Sequence, residues 1–362
     1  MKLKNLKKST KVDFATYLGV IVAFLVITLM TQNGLLGRKS QSLLVPACCY
    51  IVMAVSLNLT VGILGELSLG HAGFMSVGAF SGVVAAMGLA SVIPSEPLRL
   101  LIAIVVGAIF AAVTGVIVGV PVLRLRGDYL AIVTLAFGEI IKDLINCLIV
   151  GRDSAGLHII FNFKGLRTVD DLGLLPDGVV IIKGAQGATG TETIATFTAG
   201  FLLIMLTLVI VLNLIHSRTG RAIMALRDNR IAAESVGINI TKYKLIAFVT
   251  SASMAGAAGA LYGLNYSSLQ ATKFNFNTSI LVLVFVVLGG LGNIWGSIIA
   301  AVVLYILPEA LRQFADYRML VYAIVLIIVM LATNNPTLQS LVGRLFRRGD
   351  DEEPNAKGGA EK

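Results

Sequence analysis

The chain has 362 residues, of which 56% are hydrophobic and 14% are charged, and its net charge is +9. A soluble domain usually has roughly 25% charged residues, so this composition argues against a soluble enzyme and indicates that much of the surface faces lipid. The positive charge could indicate nucleic-acid binding, but the basic residues lie in a few loops without interleaved aromatic residues. We therefore expect membrane lipid, and no nucleic acid, among the partners.

Apolar runs predict an all-α polytopic integral membrane protein with about ten transmembrane helices, since each span needs about 20 apolar residues. The first seven predicted spans cover approximately residues 14–30, 43–62, 72–90, 100–120, 129–149, 198–215 and 244–264. The apolar stretch 279–311 has a glycine-rich interruption, which predicts two short spans or a broken pair of helices. A last span is expected at about residues 319–333.

The charge distribution predicts the orientation of these spans, because loops rich in Lys and Arg tend to stay in the cytoplasm. This rule places a basic N-terminus (1–13) and a basic loop (216–243) inside, and a Gly- and Asp-rich loop (150–197) outside. The transmembrane domain then covers 14–335, and 336–362 is a cytoplasmic tail whose composition is typical of disorder. The first apolar run exceeds the about 7–15 residues of a signal-peptide core, so we interpret it as a retained span.

The sequence contains no pattern typical of a metal, disulfide or nucleotide site. Cys48, Cys49 and Cys147 lie in apolar runs without CxxC or Cys/His spacing, and we interpret them as apolar helix residues. The glycines from Gly289 to Gly296 lack the dinucleotide-binding spacing, and no phosphate-binding loop is present. We expect no catalytic residue, no metal and no cofactor bound by this chain, so ATP-driven activity would need another subunit.

Three polar residues in a glycine-rich break, Glu66, Ser68 and His71, form the first candidate site. Polar groups at membrane depth are costly unless they are buried in protein or line a water-filled path. These residues are therefore candidates for a substrate pathway or its mouth, and the alternative is an interfacial loop. A proton relay between Glu66 and His71 is also conceivable, because His titrates near neutral pH.

Two further candidates for the pathway come from span 5 and from the stretch 279–311. Glu139 and Asp143 are four residues apart on one helix face, which indicates either a pathway contact or ion pairing with Lys142 or Arg152. The second candidate is the interruption of the apolar stretch, interpreted either as a helix break beside the permeation path or as a turn between spans. Its candidate residues are Gly290, Gly292 and Asn293.

The basic loop predicts a short helix of about two turns. Asp228 or Asn229 suits the N-cap of this helix, and Gly237 suits the position just after its C-terminus. A helix of this length is marginally stable alone in water, so we expect it to dock against another surface. The alternative is an ordinary cytoplasmic loop.

The segment Ala232-Ala233-Glu234, followed by Gly237, resembles the EAA-type coupling loop of ABC importer permeases, although the family order is Glu-Ala-Ala. In that family the short helix docks into a groove of the ATP-binding subunit. The resemblance implies that Glu234 and Gly237 set this contact and that nearby arginines pair with acids of the partner. The implied coupling residues are Arg221, Arg227, Arg230, Ala232, Ala233, Glu234 and Gly237.

Over roughly residues 43–335 the chain resembles the branched-chain amino-acid permeases of the LivM type. The segments that carry this resemblance are 65–80, 127–139, 219–239 and 287–296. It implies a multi-pass permease of the bacterial plasma membrane that imports leucine, isoleucine or valine. It also implies a second, homologous permease subunit, two ATP-binding subunits that use ATP, and an extracytoplasmic substrate-binding protein.

Three alternatives remain at the level of the sequence. Related permeases carry urea, amides or other amino acids, and the sequence does not reveal a charged cage for a zwitterion. An ion-coupled secondary transporter could use Glu66, His71, Glu139 or Asp143. The third alternative is a scaffold or receptor without transport activity.

Overall fold

Helices make up most of the protein in the computed structural model, which describes residues 8–311 except 36, 126, 155, 163–168 and 177, together with 317, 320, 323, 324 and 327. The chain divides into a unit of residues 1–306 and a unit of residues 307–362, and every site discussed below lies in the first. The helices of the described residues are α1 (Lys8–Gln32), α2 (Arg38–Asn58), α3 (His71–Gly88), α4 (Glu96–Val122), α5 (Asp128–Asn146), α6 (Phe197–His216), α7 (Arg218–Asp228), α8 (Arg230–Ser235), α9 (Ile240–Gly263), α10 (Phe276–Gly289) and α11 (Ile294–Ala310).

Seven helices of the described residues are long and apolar enough to cross a membrane, and the predicted fold class, a helical polytopic membrane protein, is confirmed. They are α1, α2, α3, α4, α6, α9 and α10. Helix α5 has acidic and basic residues in its second half, and α11 is shorter than these seven. The count of about ten spans therefore stays a prediction. The predicted last span and tail, and the first seven residues, lie outside the described residues, apart from a few single positions.

Helix α3 packs against α4 and α9 at very short range, because small residues line their contacts. A Cβ atom added at Gly78 of α3 would lie 2.0 Å from the carbonyl oxygen of Gly256 in α9. Lipid provides little hydrophobic drive for helices to associate, so close backbone approach and van der Waals contact hold such helices together. The α3–α4–α9 group is therefore the tightly packed centre of the first unit.

The stretch 279–311 is broken as the sequence predicts, and α2 also ends irregularly. Helix α10 ends at Gly289 and α11 begins at Ile294, with Gly290 (φ +93°) and Gly292 (φ +80°) between them. Helix α2 continues into a π-helical turn, Leu59–Ile63, that is buried throughout. Such turns are rare and are frequent at functional sites.

The segment 150–197, predicted only as a loop, contains most of an antiparallel sheet. Its strands are β1 (Leu148–Asp153), β2 (Gly156–Phe161), β3 (Val179–Lys183), β4 (Ala188–Thr189) and β5 (Ser268–Leu269), in the order β2-β1-β3-β4-β5. Gly151 of β1 pairs with His158 of β2 and with Val180 of β3, next to a bulge. The sheet lies at the end of the helices opposite to α7 and α8. The reason is that β4 precedes the first residue of α6, whereas α7 follows its last residue.

The basic loop is also more ordered than predicted, since α7 occupies its first half. Polar side chains begin each helix of this region by accepting a hydrogen bond from a free backbone N–H. Ser217 Oγ accepts from Gly220 N (3.1 Å) at α7, and Asn239 Oδ1 accepts from Lys242 N (3.0 Å) at α9. Between them, the predicted short helix is present as α8.

Candidate functional site

Helix α8 is a short helix with well-defined ends. Asn229 Oδ1 accepts a hydrogen bond from Ala232 N at 3.0 Å, and Gly237 follows the helix with φ +85°. Ala233 is buried against Leu226 of α7, so one face of α8 rests on its own chain. The opposite face is free in the described chain, with Glu234 exposed and Ile231 and Val236 80% and 75% exposed.

The three predicted coupling arginines differ in what they contact. The Arg221 side chain is exposed and donates to the His216 carbonyl oxygen at 3.1 Å. Arg230, in the first turn of α8, is partly exposed. Arg227 is turned toward the membrane helices, where its Nη1 donates to the Gly62 carbonyl oxygen at 3.1 Å while it also pairs with Asp228.

The contact of Arg227 with Gly62 is part of a set that we call the π-turn cluster. Its members are Asn58, Gly62, Glu66, Arg227, Lys244 and Gly292. Asn58 Oδ1 accepts from Gly292 N at 2.8 Å, and Asn58 Nδ2 donates to Ser297 Oγ at 2.9 Å. A Cβ atom at Gly62 would lie 2.2 Å from Gly292 N. The cluster therefore joins α7, the end of α2 and the turn between α10 and α11.

Glu66 is paired with Lys244 of α9, a residue that the sequence reasoning missed. The carboxylate and the ammonium group form a direct ion pair, and their side chains are 18% and 5% exposed. The two residues are 178 positions apart, so no local pattern links them. The available signal was Lys244 itself, because a charged residue next to an apolar span is expected to face the protein interior and to have a partner.

His71 and Ser68 are more deeply buried than Glu66, and neither belongs to the ion pair. His71 begins α3, is 2% exposed, and its Nε2 lies 2.8 Å from Ser56 Oγ of α2. Ser68 is equally buried, and its hydroxyl has no hydrogen-bond partner among the described residues. The structure thus places Glu66 with the π-turn cluster and His71 with α2, and no hydrogen bond in the described chain joins Glu66 to His71.

Glu139 connects α5 to the start of α10. One carboxylate oxygen accepts from Phe276 N at 3.0 Å, and the other pairs with Lys142, one of the two ion-pair partners considered from the sequence. An anion at a helix N-terminus is favourable, so Glu139 stabilises the position of α10. Asp143 is 3.8 Å from Lys142 and is 71% exposed. In the described residues, no group of three or more His, Cys, Asp or Glu side chains is arranged to hold a metal ion.

The predicted pathway residues therefore fall into separate places. Gly292 belongs to the π-turn cluster, and Gly290 and Asn293 are its neighbours in the turn, where Asn293 Oδ1 accepts from Gly296 N at 3.2 Å. His71 contacts Ser56 of α2, Ser68 has no hydrogen-bond partner among the described residues, and Glu139 lies at the beginning of α10. Two hydrogen bonds and the buried end of α2 connect α7 to the α10–α11 turn. This connection can transmit a movement of α7 to the turn.

Comparison with known proteins identifies the family of the chain. The family described as "Branched-chain amino acid transport system / permease component" matches residues 39–330. The high-affinity branched-chain amino acid transport system permease proteins LivM of Salmonella typhimurium and Escherichia coli strain K12 are 33% and 32% identical to the chain over 321 residues, which is 86% of this chain and 72% of each relative.

A more distant relative, the fructose import permease protein FruG of Bifidobacterium longum, is 24% identical over 345 residues, 90% of this chain and 93% of the relative. No solved structure matches the chain at a significant level. The resemblance expected from the sequence is confirmed by the family match and by the two LivM relatives. The chain therefore belongs to the family of permease components of branched-chain amino acid transport systems, and it is a multi-pass protein of the bacterial inner membrane.

Proposed function

We propose that the chain is the permease subunit of an ABC importer that carries leucine, isoleucine and valine into the cell. The observation that carries the proposal is the continuous contact from α8 through Arg227 to Gly62 and the α10–α11 turn. This contact links an exposed, family-like coupling motif to the helix break, in a chain whose relatives include LivM permeases. A permease driven from outside needs such a link between its docking surface and its membrane helices.

In this proposal α7 and α8 face the cytoplasm, and the sheet faces the outside. The basic residues of the segment 216–243 favour this orientation by the positive-inside rule. The exposed face of α8 would enter a groove of an ATP-binding subunit, with Ile231 and Val236 as apolar contacts and Glu234 beside them. Arg221 and Arg230 would pair with acids of that subunit, whereas Arg227 is directed to its own chain.

The complete importer would contain this chain, a second homologous permease subunit, two ATP-binding subunits and an extracytoplasmic substrate-binding protein. ATP is then used by the partner subunits, and this chain binds no cofactor and performs no catalysis. Closure of the ATP-binding subunits would move α8 and α7, and differential contact in the two states would bias the membrane helices between inward- and outward-open forms. Arg227 would transmit this movement to the π-turn cluster.

Uptake of labelled substrates tests the proposal. Cells that lack their own branched-chain importer are given this chain with its neighbouring transport genes, and uptake of leucine, isoleucine, valine and urea is measured. We expect uptake of the three amino acids and copurification of an ATPase with the tagged chain. Uptake of urea alone, or the absence of an ATPase partner, would contradict the proposal.

A charge reversal on α8 tests the coupling assignment in the same cells. Glu234→Arg should lower leucine uptake on the order of tenfold or more, because a charge reversal at a docking contact places like charges together and costs several kcal/mol. Its matched control is Glu96→Arg, an exposed position in the first turn of α4 at the opposite end of the helices. Both proteins should reach the membrane in equal amounts, and undiminished uptake by Glu234→Arg would remove Glu234 from the coupling contact.

A further inference from the structure

A cavity of about 470 Å³ lies where the end of α3 meets the sheet, on the side that the charge distribution predicts to be external. This volume is within the about 300–1,000 Å³ that is typical of small-molecule sites. Its lining combines one basic side chain, Arg152, and one half-exposed acid, Glu192, with an apolar wall. The residues of that wall are Met87, Ala90, Val179 and Ile181.

The guanidinium group of Arg152 is held in a fixed position and still has donors to offer. Its Nη1 donates to the Met87 carbonyl oxygen at 3.1 Å, and its Nη2 donates to Ser91 Oγ. A guanidinium group has five N–H donors in a planar fork that matches the geometry of a carboxylate. Because only two of these donors are engaged in the described chain, Arg152 can bind a carboxylate without losing its anchors.

The carboxylate of Glu192 is also oriented before any ligand binds. Arg99 Nη2 contacts Glu192 Oε2 at 2.8 Å, and the Arg99 side chain is only 7% exposed, so it is a rigid anchor. A carboxylate has two oxygens and about four acceptor positions, so Glu192 can accept a further donor such as an ammonium group. Arg99 Nε has no hydrogen-bond partner among the described residues, which leaves a buried polar group unsatisfied beside this acid.

The remaining acid of the lining, Asp153, is occupied by the protein itself. Its side chain is 1% exposed and accepts hydrogen bonds from Gly156 N at 3.0 Å and Leu175 N at 3.3 Å, and it pairs with His158. Asp153 therefore supports the turn between β1 and β2. The groups that the cavity can present to a ligand are one cation, one anion, the hydroxyls of Ser91 and Ser154, and the apolar wall, in which Val179 is 56% exposed.

We propose that this cavity is an external receiving site for a zwitterionic amino acid with an aliphatic side chain. Arg152 binds the α-carboxylate, Glu192 binds the α-ammonium group, and the side chain packs on Met87 and Val179. This inference rests on the proposed function, because it names the place where an imported amino acid first contacts the permease. The site requires both charges of the ligand, so it discriminates against molecules that carry only one of them.

Binding to the purified, complete importer without its substrate-binding protein tests the inference. Labelled leucine should bind, and leucinamide, which lacks the carboxylate, and 4-methylpentanoate, which lacks the ammonium group, should compete poorly. Arg152→Gln and Glu192→Gln should each weaken leucine binding about tenfold or more, because each removes a hydrogen bond to a charged group. The controls are Lys183→Gln and Glu96→Gln, which remove exposed charges outside the lining.

A third variant, Val179→Trp, keeps both charged side chains, since Val179 is exposed and pairs with Arg152 only through the backbone of β1 and β3. Its indole should fill the cavity and abolish leucine binding while both charged residues remain. Unchanged binding in all three variants would overturn the receiving site, whereas failure of the wild-type importer to take up any branched-chain amino acid would overturn the proposed function. Variants that bind leucine normally but no longer bind the substrate-binding protein would show that the cavity belongs to a protein-docking surface. The inference would then be wrong.

Discussion

The ion pair between Glu66 and Lys244 is the most buried charged contact of the π-turn cluster. Both side chains are less than one-fifth exposed, so each charge depends on the other to offset the loss of hydration. A buried pair of this kind contributes little net stability compared with apolar residues, but removal of one partner leaves an uncompensated charge. The pair therefore fixes the position of the segment after α2 relative to α9.

We predict that Lys244→Met destabilises the purified importer by about 3–5 kcal/mol, because Glu66 is then buried without its partner. Thermal unfolding in detergent measures the effect. The matched control is Lys242→Met on an exposed position of the same helix, which should change stability by less than about 0.5 kcal/mol. Adding Glu66→Gln to Lys244→Met should restore most of the loss, and a double variant no more stable than the single one would show that the two side chains are not coupled.

Gly78 tests the close packing of α3 against α9. Gly78→Ala should destabilise the protein by about 1–3 kcal/mol, because the new methyl group overlaps the carbonyl oxygen of Gly256. Gly88→Ala in the same helix is the control, since a Cβ atom there meets only Leu157 Cδ1, at 3.9 Å. The unfolding temperature of Gly78→Ala should therefore be clearly lower than that of Gly88→Ala. Equal unfolding temperatures would mean that α3 and α9 accommodate the methyl group without loss of stability.

At the scale of elements, the sequence predicts α8 better than its surroundings. The capping residue Asn229 and the glycine at 237 are local signals, and both act as predicted. The sequence did not predict α7, because its charged residues are also typical of a loop. Ser217 nevertheless supplies a typical N-cap for this helix. The β1–β2 hairpin is local, but its residues were interpreted as part of a Gly- and Asp-rich loop. The rest of the sheet pairs over longer distances: β5 joins it from residues that follow α9, and strands as short as β4 have no periodicity to detect.

We predict that Gly237→Ala lowers leucine uptake more than its effect on stability explains. The residue has φ +85° and open space around it, so Ala strains only the backbone, by roughly 1–2 kcal/mol. The strain should displace the end of α8 and weaken its docking. Gly34→Ala is the control, because Gly34 has φ +69° and is equally open but lies between α1 and α2. Both variants should lose similar stability, and equal uptake by both would separate Gly237 from coupling.

For the whole molecule, composition alone predicts the membrane environment, and the apolar runs predict most helices to within a few residues. The candidate pathway is harder to predict, because a pathway is a property of distant contacts. The sequence grouped Glu66 with His71, which are neighbours along the chain, whereas the folded chain pairs Glu66 with Lys244 and His71 with Ser56. Likewise, Arg152 and Glu192 come from separate strands and loops, and only the fold brings them to one cavity.

The source of energy distinguishes the proposed importer from an ion-coupled transporter. Proton coupling needs a carboxylate or imidazole that can exchange a proton during the cycle, but Glu66 and Glu139 are both paired with lysines. His71 is buried and its Nε2 contacts Ser56 Oγ, and no hydrogen bond in the described chain joins it to either acid. We therefore predict that leucine uptake stops when cells are depleted of ATP with the proton gradient intact. Uptake should persist when an ionophore collapses the gradient while ATP is maintained. The reverse result would contradict the ATP-driven mechanism and would assign coupling to Glu66, His71, Glu139 or Asp143. If Glu66 or Glu139 carried the proton, its lysine partner would have to release it in each transport cycle.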